Sequence, residues 1–186
     1  MVTSDVPAAA TPVRRRRIVL FAAVAVLVLG LDVASKIVVV AQLPPTHRPV
    51  RILGGVLYLQ QTRNSGAAFS LGTGFTVILT AVAVIVAVVI IRTAKRLRSV
   101  GWAIAFGLIL GGAVGNLVDR FFRDPGIGRG HVVDWLSAFA PDAQRWPIFN
   151  LADSGIVVGA VLAGVLALAG VEFDGRRHVR AERDEA

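Results

Sequence analysis

Four stretches of the sequence, Ile18–Ala41, Gly74–Ile91, Gly101–Val118 and Leu151–Val171, consist almost wholly of Val, Ala, Leu, Ile and Gly. Each approaches the roughly 20 apolar residues that a helix needs to cross a hydrocarbon core. In lipid the backbone must satisfy its own hydrogen bonds, so a single apolar segment crosses as a helix. The sequence therefore predicts an all-α membrane protein with four transmembrane helices. A hydrophobic fraction of 55% and a mean hydropathy of +0.68 agree with that class. The first span follows Arg14–Arg17 in the manner of a cleavable signal, but it is long, carries Asp32 and Lys36, and precedes three more spans. It reads as a retained helix. The absence of cysteine excludes disulfides, thiolate metal sites and cysteine nucleophiles.

The basic residues orient the chain. Arg14–Arg17 precede the first span, Arg92, Lys95, Arg96 and Arg98 join the second to the third, and Arg176, Arg177, Arg180 and Arg183 follow the fourth. Basic residues beside spans are retained in the cytoplasm, so both termini are expected there and residues 42–73 and 119–150 outside. Three regions follow: a basic tail at 1–17, a four-helix membrane domain at 18–171, and a charged tail at 172–186. Residues 1–13 and 174–186 lack apolar periodicity and are expected to be disordered. The net charge of +8 does not mark a nucleic-acid binder, because the arginines sit in juxtamembrane clusters rather than among exposed aromatics.

The outer segments hold the unusual polar sequence, and an ionisable residue in a membrane helix is a functional candidate with a structural ion pair as its competitor. Asp32 and Lys36 lie four residues apart on one helix face, as a structural or substrate-orienting pair. In the third span Asn116, Asp119 and Arg120 share a helix surface, either as a prepared polar site or with Asp119 and Arg120 as an interfacial anchor. The glycines of Gly111–Gly115 permit close helix approach. Asn150 and Asp153 stand one turn apart where the fourth span begins, which suits an N-cap and first-turn acid as well as chemistry. Asp134, in His131-Val-Val-Asp-Trp-Leu136, is a lone acid in an apolar run on the same outer side. The β-branched and aromatic residues of Val50–Gln61 predict short strands, a small extramembrane sheet able to cradle an extended peptide. Asn64 follows, either to hold a substrate backbone or as an Asn-Ser-Gly turn.

Two aspartates meeting in a partly dehydrated site do not both ionise cheaply, so one stays protonated while the other serves as a base. That pair can activate water against a peptide carbonyl without metal, cofactor or covalent intermediate. Other hydrolytic signatures are missing: no HExxH, no Gly-x-Ser-x-Gly and no phosphate loop, and His131 beside Asp134 lacks evident further metal ligands. Two other classes compete, a proton-coupled transporter using Asp32, Lys36, Asp119 and Asp153 as a relay, and a non-catalytic scaffold. The first lacks inverted repeats and midplane placement of the acids; the second leaves Asp134 and Asp153 unexplained.

Asp32-Val-Ala-Ser-Lys36, Asn64-Ser-Gly-Ala-Ala-Phe-Ser70, Gly111-Gly-Ala-Val-Gly-Asn-Leu-Val-Asp-Arg120, Val132-Val-Asp-Trp135 and Phe149-Asn-Leu-Ala-Asp153, in that order, make the chain resemble the lipoprotein signal peptidase (signal peptidase II) family. The resemblance implies an aspartic peptidase of the bacterial cytoplasmic membrane with its site toward the outer face. It implies cleavage of diacylglyceryl-modified prolipoproteins just before the lipid-bearing cysteine. It implies Asp134 and Asp153 as catalytic pair, Asn64, Asn116, Arg120 and Asn150 as substrate-orienting or supporting residues, Asp119 as a brace, and Asp32 and Lys36 in support. A monomer in membrane lipid suffices, since these residues fall within one small bundle. The stretch between Arg120 and Val132 is longer than a compact version of this connection, and its glycines suit a lid.

Overall fold

The computed structural model describes residues 12–66 and 75–175, with side chains from 15 to 66 and from 76 to 175. Among the described residues four helices are long and apolar enough to span a membrane: α1 (Pro12–Gln42), α2 (Phe75–Ala94), α3 (Val100–Phe122) and α4 (Leu151–Leu168). Helix α1 already runs through Arg14–Arg17, as arginine is a good helix former whose stem can lie along apolar surface. The family motif residues Ala67–Ser70, residues 1–11 and the arginines from Arg176 onward lie outside the described residues.

Helix α3 is the hub. It packs against α1, α2 and α4, and it has the largest buried share of the four spans. Its small residues make this possible: a Cβ added at Gly111 would lie 2.6 Å from the Ala25 carbonyl oxygen of α1. With no hydrophobic drive between helices in lipid, such close backbone approach is what van der Waals packing needs.

At the end of the bundle opposite the α2–α3 turn, three antiparallel strands form a sheet in the order β1 (Val50–Ile52), β2 (Leu57–Asn64), β3 (Val132–Ala138). Strand β1 lies within the region predicted as strand, and β2 begins in it and runs on to Asn64. Strand β3 covers the apolar run around Asp134, and all its residues but Trp135 are buried. In the register, Thr62 stands opposite Asp134 and Asn64 opposite Val132. The sheet thus brings the end of β2 alongside Asp134, between the outgoing end of α3 and the start of α4. At the other end, the backbone N–H groups of Arg98 and Ser99 donate to the Phe173 carbonyl, which docks the start of the C-terminal segment on the α2–α3 turn.

The connection from α3 to β3 is laced to the bundle. Gly130 N–H donates to Arg120 O, His131 N–H donates to Asp124 O, and the Thr80 hydroxyl on α2 donates to Gly128 O at 3.0 Å.

Candidate active site

Two aspartates and three asparagines converge where β3 passes the start of α4. Asp134, on β3, is 2% exposed, and its carboxylate is held from both sides. The Asn64 side-chain amide donates to Oδ2 at 2.8 Å, and the Asn150 side-chain amide donates to Oδ1 at 2.7 Å. Asn64 is also tied by the turn that follows it, since its Oδ1 accepts the Gly66 N–H at 2.8 Å. Turn and site are one arrangement here. The turn fixes which atom of the amide points away from it, and that atom is the donor facing Asp134.

Asp153 is delivered by the start of α4. Asn150 caps that helix: its Oδ1 accepts the Asp153 N–H at 2.9 Å, and Asp153 Oδ2 accepts the Asn150 N–H at 3.2 Å. This reciprocal pair satisfies two of the helix's unpaired donors. It also leaves Asp153 Oδ1 to accept from the Asn116 side-chain amide of α3, at 2.8 Å. The cap and the constellation share the same atoms.

Burial pushes the Asp134 carboxyl up to about 7, with the negative charge of Asp153 as the second cause. The Asn64 and Asn150 amides and the Lys36 ammonium pull the other way. Near neutral pH the proton on Asp134 is therefore easily held and easily given up.

Behind this pair lies a buried ionic cluster. Lys36 Nζ is 2.7 Å from Asp32 Oδ2 and 2.9 Å from Asp119 Oδ2, and it donates to Asn116 Oδ1 at 3.2 Å. Asp119 pairs with Lys36 and with Arg123, one turn on, rather than with Arg120, which removes the interfacial-anchor reading of Asp119 and Arg120. Arg123 carried no sequence motif; its (i, i+4) spacing from Asp119 was the available signal. Arg120 instead turns toward a groove with its Nε buried and without a hydrogen-bond partner.

Two cavities adjoin the constellation. One, of about 350 Å³, is lined by Thr62, Arg63, Asn64, Asp134, Ala143, Pro147 and Ile148. The other, of about 230 Å³, is a mostly apolar groove between α2, α3 and α4, lined by residues including Leu79, Ala83 and Ile156, with Asn116 and Arg120 at its polar end. Ala143, Pro147 and Ile148 belong to a loop with no chemical signature in sequence. His131 is half-buried, and among the described residues no group of three His, Cys, Asp or Glu is placed to hold a metal ion.

A family model described as signal peptidase (SPase) II matches residues 24–169. The lipoprotein signal peptidase of Rhodococcus jostii is 51% identical over 166 residues, covering 89% of this chain and 81% of that protein. That of Mycobacterium tuberculosis is 51% identical over 174 residues, covering 92% and 82%. A solved bacterial membrane enzyme superposes with a TM-score of 0.66 at 25% identity, over 78% of this chain and 90% of its own. A second shares the fold at 24% identity with a TM-score of 0.67, over 84% of this chain and 92% of its own. The four apolar helices and these neighbours make the chain a multi-pass membrane protein. With the family model spanning its membrane core and relatives at half identity over most of its length, the chain belongs to the signal peptidase II family.

Proposed function

We propose that this protein is an aspartic endopeptidase that removes the signal peptide from diacylglyceryl-modified prolipoproteins, cutting before the lipidated cysteine, with Asp134 and Asp153 as its catalytic pair. The observation that carries the mechanism is the convergence of these two carboxyl groups under three asparagine amides, with Asp134 raised to about 7 by burial and by its neighbour's charge.

Asp153, which accepts from Asn116 and from the Asn150 N–H, is the carboxylate that takes a proton from water. The water oxygen attacks the scissile carbonyl carbon, and protonated Asp134 gives its proton to the developing oxyanion. As the tetrahedral intermediate collapses, the C–N bond breaks, the amine leaves with a proton from Asp153, and the hydroxyl proton returns to Asp134. One water is consumed and the pair ends as it began. Asn64 and Asn150 orient Asp134, and Asn116 orients Asp153.

The cavity beside β2 supports an extended peptide lying along Thr62 and Arg63. The groove between α2, α3 and α4 supports an apolar part of the substrate, and the free Nε–H of Arg120 at its end is a donor for a substrate carbonyl. The relatives' shared name supports a lipoprotein precursor as substrate. The basic residues near the α2–α3 turn support that end in the cytoplasm and the sheet on the outer face of the bacterial cytoplasmic membrane. Residues 18–171 act as a single peptidase domain, and one copy holds every site residue.

The test is cleavage of a prolipoprotein with and without its diacylglyceryl group by the purified protein, with the new N-terminus mapped by mass spectrometry. Cleavage before the cysteine of the lipidated form alone is expected. Equal cleavage of both forms, or of neither, contradicts the assignment.

A further inference from the structure

Asp32 and Asp119 do more in this structure than neutralise a lysine. Asp32 Oδ1 accepts the backbone N–H of Ala152 at 3.0 Å, and Asp119 Oδ2 accepts the backbone N–H of Val133 at 3.1 Å. Ala152 directly precedes Asp153, and Val133 directly precedes Asp134. Each buried carboxylate therefore grips the backbone one residue before a member of the proposed catalytic pair. Lys36 sits between the two carboxylates.

Three oxygens surround the Lys36 ammonium, those of Asp32, Asp119 and Asn116, as many as it has N–H donors. The third decides an orientation. With its Oδ1 turned to Lys36 and to the Asn150 amide, Asn116 can present only its NH₂ to Asp153. The cluster is also closed in charge, since Asp32 and Asp119 are matched by Lys36 and Arg123. Lys36 itself is 1% exposed.

The geometry points to Lys36 as a positioning residue for peptide hydrolysis: by tying Asp32 on α1 to Asp119 on α3, it sets where α4 delivers Asp153 and where β3 delivers Asp134. This inference rests on the assignment of Asp134 and Asp153 as the catalytic pair. A buried ion pair kept only for stability would be replaceable by neutral groups at little cost. A positioning cation is not.

The experiment compares full-length wild type, Lys36→Met, the double variant Lys36→Met/Asp32→Asn, Asp32→Asn alone and Asp134→Asn on the same lipidated precursor in detergent. Lys36→Met leaves buried Asp32 without a cation and Asp119 with Arg123 alone, two charges it had balanced, and is expected to lower the melting midpoint. The double variant removes one of those charges and leaves Asp119 its Arg123 partner, so the midpoint recovers. Its kcat is nonetheless expected to stay about 30-fold down with KM little changed, the size of losing hydrogen bonds to charged groups at the reacting pair. The alkaline limb of its kcat profile is expected to move to higher pH, because protonated Asp134 is the acid and a cation is lost from among the charged groups facing it: Asp153, Arg120 and Lys36 itself. A double variant with wild-type kcat and pH profile overturns the inference and leaves Lys36 a neutraliser. Should the double variant not fold, Asp32→Asn decides: a fall in kcat of about tenfold is expected from turning an ionic tie into a neutral one, and an unchanged kcat overturns the inference. Asp134→Asn reports separately on the catalytic assignment. If it cleaves, that assignment fails whatever the Lys36 variants do.

Discussion

Asn150 donates its side-chain amide to Asp134 at 2.7 Å while its own backbone N–H donates to Asp153, so one residue touches both acids. The contact joins a helix cap to a strand. Whatever shifts the first turn of α4 also shifts the carboxylate of β3, and the pair behaves as a unit rather than as two independent side chains.

The pH dependence of stability follows from Asp134. Its carboxyl is raised in the fold from an ordinary value of 3.8 to about 7. Between those values the unfolded chain has released the proton and the folded chain still binds it. Folding stability therefore falls as pH rises through that window, with a slope of at most about 1.4 kcal/mol per pH unit. Melting of the purified protein in detergent is expected at a lower temperature at pH 8 than at pH 5, and Asp134→Asn is expected to flatten that slope. A slope unaltered in the variant contradicts it.

Gly115 lies where α3 meets Asp32 of α1. A Cβ there would stand 2.6 Å from Asp32 Oδ2 and 3.3 Å from the Ala152 Cβ. Gly115→Ala is expected to cost about 1–3 kcal/mol of stability by overpacking and to lower activity by displacing the carboxylate that grips the start of α4. Gly164, with nothing within 4 Å of an added Cβ, is the matching control: Gly164→Ala is expected to leave both unchanged.

Ala83 of α2 lines the apolar groove beside α3. Ala83→Phe fills part of that space and is expected to raise KM several-fold with kcat nearly unchanged, because it removes uniform substrate binding rather than transition-state stabilisation. Steady-state kinetics on a lipidated precursor distinguishes this from a fall in kcat, which would place the groove outside substrate binding.

The four spans were legible because unbroken apolar runs of helix-crossing length leave the backbone one solution. The site residues were legible only as types at suggestive spacings. Asn150 and Asp153 showed their cap directly, since a cap is local. The strand character of 132–138 was hidden because nearly every residue in it is buried, which erases the period-two alternation that marks a half-exposed strand. The tie from Lys36 to Asp119 spans two helices and cannot be read from spacing. Asp119 pairs with Arg123, four residues on along the same helix, rather than with its neighbour Arg120, and the (i, i+4) spacing was the one local sign of it. The loop residues Ala143, Pro147 and Ile148 carry no chemical signature, and folding alone brings them to the cavity beside Asp134.

The most direct test of the central claim is single-turnover cleavage of a diacylglyceryl-modified prolipoprotein by wild type, Asp134→Asn and Asp153→Asn, each with and without chelator, with substrate binding measured in parallel. Wild type is expected to cleave regardless of chelator, and the two variants to bind the precursor but cut it at least about 10³-fold more slowly, the scale of losing a general acid or base. Cleavage by either variant near the wild-type rate, or loss of wild-type cleavage on adding chelator, would contradict it.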